Sequence, residues 1–230
     1  MTKRLLLVMI VLGSAGALTA QTSTLKVKPP FQPAEARLVT GILYSNTCVG
    51  AGTVVMDALI TETGEVKQVE VRRDIGCFTP FAVQNVKTWK FAPATLAGKA
   101  VASRVPVAVT FDPLFPSGDP IILSPLIPQS AAAIQAEFQP AEVTRVLLPH
   151  AHPGYSFAEG TVVLEVTLSE KGEAEEIKML RDVSPFTEGA RAAVGDWRFL
   201  PATFNGRPVQ SKIVLAFVSP PFVPANPTPE

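Results

Sequence analysis

Histidine and cysteine each occur only twice in the 230 residues. The histidines, His150 and His152, stand at i, i+2 in "LLPHAHPGY", and no further metal-binding side chain completes a set around them. That spacing can begin a metal site but cannot close one. No serine or cysteine has a nucleophile-elbow setting, and Cys48 and Cys77 do not form a C-x-x-C pair. Nucleophilic, metal-assisted and thiol-redox chemistry therefore have no motif to rest on, so neither an enzyme nor a cofactor or small-molecule substrate is expected. Charge is scarce too: Lys+Arg and Asp+Glu number 20 each and together make up 17% of the chain. Such a balance provides no basic field to hold nucleic acid. With 47% of residues hydrophobic, the chain is not a highly charged disordered polymer either. Beyond the N-terminus no apolar run approaches the ~20 residues that cross a bilayer.

What is present begins with Lys3 and Arg4, then an apolar run from Leu5 to Leu12, then the small residues Gly13 to Ala17. This order is that of a secretory signal over residues 1–20, with cleavage after Ala17 or Ala20. The alternative is an uncleaved inner-membrane anchor. The signal reading places the mature chain in the periplasm, where disulfides persist.

The chain then repeats itself. "WKFAPATLAGKAV" at 89–101 returns as "WRFLPATFNGRPV" at 197–209. Sliding the sequence by 108 residues aligns Gly52–Val109 with Gly160–Phe217 without a gap. About 22 of roughly 58 aligned pairs are identical, which marks an internal duplication. An upstream echo, "FQPAE" at 31–35 and 138–142, is one residue out of phase with that shift. The expected organisation is a first domain at 31–112, a Pro-rich linker at 113–137, a second domain at 138–219 and a disordered Pro-rich tail at 220–230.

Each copy reads alike. Val54, Met56, Ala58 and Ile60, like Val162, Leu164, Val166 and Leu168, recur with the period of a strand. Gly64 and Gly172 suit a hairpin turn with positive φ, and second strands follow with Val69 and Val71, or Ile177 and Met179, on one face. Then the period changes. Thr79 and Thr187 suit an N-cap, Pro80 suits the first helical turn, and Ala82, Val86 and Trp89, matched by Ala190, Val194 and Trp197, form one helical face. Trp89, Phe91 and Pro93, with Trp197, Phe199 and Pro201, form a helix-exit corner that docks two aromatics and launches a last strand. That strand carries Val101, Ser103, Val105, Val107 and Val109, or Val209, Ser211, Ile213, Leu215 and Phe217. The fold class is α+β: two tandem β-β-α-β units, each a small antiparallel sheet with one helix on a face.

The order G-T-V-V, hairpin, helix, W-[KR]-F-x-P-A, G-x-x-V, strand resembles the C-terminal domain of the TonB family, and each copy covers most of that domain. The resemblance implies a periplasmic protein-binding module, which in the energy-transducing members grips an outer-membrane receptor by adding the receptor's N-terminal segment to the sheet. A membrane-anchored transducer and a structural or self-associating envelope protein are the alternatives. This chain departs from the transducer plan: its N-terminus looks cleavable, no long Pro/Lys/Glu-rich spacer precedes the first domain, and the domain occurs twice.

Two site expectations follow. Proline cannot donate a ladder hydrogen bond, so Pro106 marks the last strand of the first copy as an edge. In the second copy Val214 takes its place, leaving Ser211, Ile213, Val214, Leu215 and Phe217 as an uninterrupted edge for a partner peptide. The same edge could instead pair with the other domain or with another chain. Second, a hairpin turning at Thr63–Gly64 sets Cys77 opposite position 50, within reach of a disulfide to Cys48.

Overall fold

The computed structural model describes residues 31–43, 48, 50–111, 137–147 and 160–219. The signal segment, nearly all of the linker, His150, His152 and the tail from Pro220 lie outside the described residues.

Each unit opens with two short strands, β1 (Phe31–Gln32) and β2 (Glu35–Leu38), or β9 (Phe138–Gln139) and β10 (Glu142–Arg145). The hairpins are β3 (Gly52–Ile60) with β4 (Val66–Arg73), and β11 (Gly160–Leu168) with β12 (Ala174–Arg181). The helices are α1 (Thr79–Val86) and α2 (Phe186–Gly195). Three short strands follow each helix: β5 (Lys90–Ala92), β6 (Ala94–Leu96) and β7 (Lys99–Val101), or β13 (Arg198–Leu200), β14 (Ala202–Phe204) and β15 (Arg207–Val209). The last strands are β8 (Ser103–Phe111) and β16 (Ser211–Ser219). The layout is thus richer than β-β-α-β, and Val101 and Val209 belong to β7 and β15 rather than to the last strands.

The expected pair of separate small sheets is not what forms. The long strands join into one six-stranded sheet, in the order β12-β11-β16-β8-β3-β4. Its central junction is a parallel ladder between the units, with Val107–Phe111 beside Val214–Val218. Every other neighbouring pair in this sheet is antiparallel.

The register of that junction explains the packing. Equivalent positions of the repeat stand 108 residues apart, as Trp89 and Trp197 do, whereas the ladder pairs residues 107 apart, as Val107 with Val214. A one-residue slip turns a strand's side chains to the other face. The two helices therefore cover opposite faces. Val54, Met56, Ala58, Ile60, Val105, Val107 and Val109 pack with α1. Leu164, Val166, Leu168, Ile213, Leu215 and Phe217 pack with α2. The alternate residues cross over: Val163, Val214, Ala216 and Val218 join the α1 core, while Val55 and Ala108 join the α2 core. The central strands are thus buried on both faces.

The corner motif closes each core from the helix side. Trp89 is fully buried and its indole N–H donates to Asn85 Oδ1 at 2.9 Å. Trp197 is buried against Phe217, with ring centroids 5.7 Å apart, and donates to the Leu147 carbonyl at 2.9 Å. The corner also seats the hairpin. Gly64 has φ +85°, and its carbonyl accepts the Phe91 N–H at 2.8 Å. A Cβ at Gly64 would lie within the van der Waals envelope of the Phe91 carbonyl oxygen, and Gly172 meets the Phe199 carbonyl in the same way. The threonines do not cap the helices as expected. Thr79 Oγ1 accepts the Ile75 N–H at 2.8 Å and Thr187 Oγ1 accepts the Val183 N–H at 3.0 Å, so both brace the turn that precedes the helix. Pro80 does fall in the first turn of α1.

Cys48 and Cys77, separated by 29 positions in sequence, form a disulfide with Cα atoms 5.7 Å apart, as expected. It ties the chain ahead of β3 to the start of the helical segment. Closing such a loop removes freedom from the unfolded chain, so Cys48→Ser with Cys77→Ser should cost about 3–4 kcal/mol in urea denaturation. Pro185 stands at the matching position of the second copy, and there the helix is held without a bridge.

Candidate functional site

The leading segments lock the two units together. The Ala36 N–H donates to Glu165 Oε2 at 2.7 Å. The Ile42 N–H donates to Thr161 Oγ1 at 2.9 Å, and that hydroxyl donates back to the Ile42 carbonyl. Phe31 stacks on Phe138 and Phe204 of the other unit, with centroids 4.7 and 5.6 Å apart. Each "FQPAE" thus pairs with strands of its own unit while its side chains reach the other, which gives the upstream echo its role.

Two charged groups sit under these segments, at matching places in the repeat. In the second unit Glu165 is 1% exposed, and Lys212 Nζ donates to it at 2.8 Å. Glu35, reaching across from the first unit, accepts from Lys178 at 3.0 Å and Lys212 at 3.2 Å. The Lys178 hydrogen bond, against some cost of burial and aided by Lys212, holds the Glu35 carboxyl below its usual range. Burial works against the Lys212 charge, but its bonds to Glu165 and Glu35 outweigh that and raise its pKa. In the first unit the counterpart of Glu165 is Asp57, 5% exposed. Its ion pair with Arg72 is long, 3.9 Å, and Arg72 also reaches Glu142 of the second unit at 3.7 Å. Burial dominates over Arg72 and Arg104, and the Asp57 carboxyl is pushed up to about 6.

The expected edge does not stand open. Along β16, Val214, Leu215 and Phe217 have β11 on one side and β8 on the other, while Ser211 and Ile213 pair with β11. Pro106 stands opposite Asp57 of β3, in a strand that becomes interior one residue later. The physical reason is local. At Pro106 only β3 lies beside β8, because the parallel ladder with β16 begins at Val107, so the missing donor falls where the strand is still locally an edge. Of the alternatives that the sequence left open, pairing with the other domain is the arrangement found.

The outer edges of the shared sheet are instead β4 and β12, whose far sides have no strand partner among the described residues. They differ. On β4, Val66, Val69, Glu70 and Val71 are half-buried, Arg72 is buried, and α1 packs against both β3 and β4. On β12, Ala174, Glu175, Glu176, Lys178 and Met179 are exposed, with Met179 at 44%. Sequence reasoning missed both edges, because Pro106 drew attention to the third strand. The available signal was the unbroken apolar run of "VPVAV" and "IVLAFV", which two-sided burial requires and a half-exposed edge does not.

What this geometry defines is a sheet platform of two pseudo-equivalent halves, offering main-chain edges and no gathered metal-ligand set among the described residues. Over residues 50–113 and again over 157–218 the chain matches the model of the Gram-negative bacterial TonB protein C-terminal domain, and it belongs to that family. It is thereby related to binding and energy-transducing proteins of the envelope. No curated protein and no solved structure matches the chain. No helix among the described residues is long and apolar enough to cross a membrane.

Proposed function

We propose that the chain is a non-catalytic, periplasmic protein-binding module, and that it captures an extended segment of an outer-membrane receptor or envelope protein by strand addition at the outer edge of β4. The observation that carries this reading is the junction of β8 with β16, which occupies the third strands and leaves β4 and β12 as the sheet's edges. Between these two, β4 suits an incoming peptide better. Main-chain hydrogen bonds supply affinity in strand addition, and side-chain niches supply choice. Val66, Val69 and Val71 offer such niches, half-buried beside α1 and the disulfide-tied segment. An edge held rigid on both sides loses little freedom on binding.

A second reading rests on the same junction: the sheet edges serve internal pairing, and the chain is a structural envelope protein. The two part on one experiment. Along a strand, consecutive N–H groups point to opposite sides, so of Gln68→Pro and Val69→Pro only one removes an outward donor. Calorimetry with extended peptides from receptor N-terminal segments should show binding to the parent chain. The variant that removes the outward donor should keep the parent's far-UV circular dichroism and lose about 5- to 13-fold in affinity, since a hydrogen bond to a desolvated partner is worth about 1–1.5 kcal/mol. If both variants fold and bind as the parent does, β4 is not the capturing edge. If no peptide binds at all, the structural reading stands.

A further inference from the structure

We infer that the outer edge of β12 is an interface with a second copy of this chain, formed by antiparallel pairing centred on Ile177. Bulges opposite Thr167/Leu168 and Val163/Leu164 bound a regular stretch of β12 from Glu176 to Met179. Within it the sequence reads Glu176-Ile177-Lys178-Met179, with Glu176, Lys178 and Met179 exposed. Turned antiparallel on itself about Ile177, it sets Glu176 opposite Lys178 of the second copy, and Lys178 opposite Glu176 of the second copy. Ile177 meets its own counterpart, and Met179 meets Glu175.

Three conditions select the register. Two-fold pairing of like edges continues the sheet, so opposing side chains must lie on one face, and only centres on a residue satisfy this. A centre at Glu176 sets that carboxylate against itself, and a centre at Lys178 sets ammonium against ammonium. Like charges directly opposite are destabilising and opposite charges stabilising. A centre at Met179 opposes no like charges but only sets Lys178 against Leu180 and Ile177 against Arg181, so Ile177 is the centre in this stretch that gains opposite-charge pairs. Exposed charges on an edge ordinarily keep other strands away. Here they disfavour the registers centred on Glu176 and Lys178 while favouring the one centred on Ile177. The β4 edge has no such symmetry. About Val69 it opposes Gln68 to Glu70 and Lys67 to Val71, and its Arg72 is turned inward and buried.

Lys178 already donates to Glu35 at 3.0 Å, but Glu35 keeps Lys212 as a second partner. Sharing Lys178 with a second copy therefore strands neither carboxylate. The association is expected to be reversible and to weaken with salt, since its charges lie near solvent.

Sedimentation velocity of the mature chain across concentration tests this. The parent should show a monomer–dimer equilibrium that weakens between about 0.05 and 0.5 M salt, over which the Debye length falls from about 14 to about 4 Å. Glu176→Lys alone and Lys178→Glu alone each turn two attractive pairs into two repulsive ones, and each should weaken the dimer at least ~10-fold. The double variant Glu176→Lys with Lys178→Glu restores both pairs and should return the dimer to within ~3-fold of the parent. A parent that stays monomeric throughout overturns the inference. So does a double variant no better than the singles, or single variants that associate as the parent does. None of these outcomes bears on peptide capture at β4, which is read with peptide.

Discussion

Gly64→Ala should lower the stability of the chain by about 3–5 kcal/mol in urea denaturation, whereas Gly98→Ala should cost about 1 kcal/mol. Both glycines have positive φ, +85° and +82°, so both substitutions carry the strain of a left-handed residue with a side chain. They differ in what the new methyl meets. Nothing lies within 4 Å of a Cβ built at Gly98. At Gly64 the methyl would collide with the Phe91 carbonyl, which is backbone and sits beside the Phe91 N–H to Gly64 carbonyl hydrogen bond. Relief therefore requires the hairpin to lift from the corner, which breaks that bond and loosens Phe91 and Trp89. Gly172, pressed on the Phe199 carbonyl, should behave as Gly64 does. Equal losses for Gly64→Ala and Gly98→Ala would mean that the turn conformation alone, and not its seat on the corner, fixes these glycines.

The same contact shows how far the sequence could be read. The two W-[KR]-F-x-P-A corners, the turn glycines and the helical face of Ala82, Val86 and Trp89 each leave a local signature, because each is dictated by neighbours within one unit. The disulfide was legible for the same reason: a hairpin register carries Cys77 back to Cys48. The union of the two sheets is not local. It depends on which edge each unit presents and on which face each helix covers, and neither is written in a period of two. What the sequence does hold is indirect. Val214 and Ala216 are apolar although they alternate with Ile213, Leu215 and Phe217, so β16 has no polar face to turn to water. Glu165 and Asp57 interrupt apolar strands at matching places and signal that something polar comes down on them. Proline at 106 argued for an open edge. A proline also satisfies a strand that gains its second neighbour one residue later, and the sequence could not decide between these.

Asp57 and Glu165 occupy equivalent places, and their neutral replacements should move stability in opposite directions. For Asp57 burial outweighs its cations and lifts the carboxyl from 3.8 to about 6. A group held more protonated in the folded state favours folding most below its unfolded value, and that contribution is lost as pH rises through the folded one. At pH 7 the ionised Asp57 therefore costs the fold on the order of 3 kcal/mol, at 1.36 kcal/mol per pKa unit. Asp57→Asn should recover most of that at pH 7, about 1 kcal/mol of it at pH 4.5, and almost nothing below pH ~3. Glu165 is different because its charge is answered: Lys212 donates at 2.8 Å and the Ala36 N–H at 2.7 Å. Glu165→Gln leaves Lys212 without its shortest partner in a largely buried place, though Glu35 still reaches it, and should cost about 2–4 kcal/mol at pH 7. Because Ala36 belongs to one unit and Glu165 to the other, that loss falls on the contact between the halves. Hydrogen exchange should then quicken at Ala36 and Ile42 before it quickens in β3. If instead Asp57→Asn destabilises the chain at pH 7 as much as Glu165→Gln does, the Arg72 pair is worth more than its 3.9 Å separation allows, and the two units are held by matched rather than unequal charge contacts.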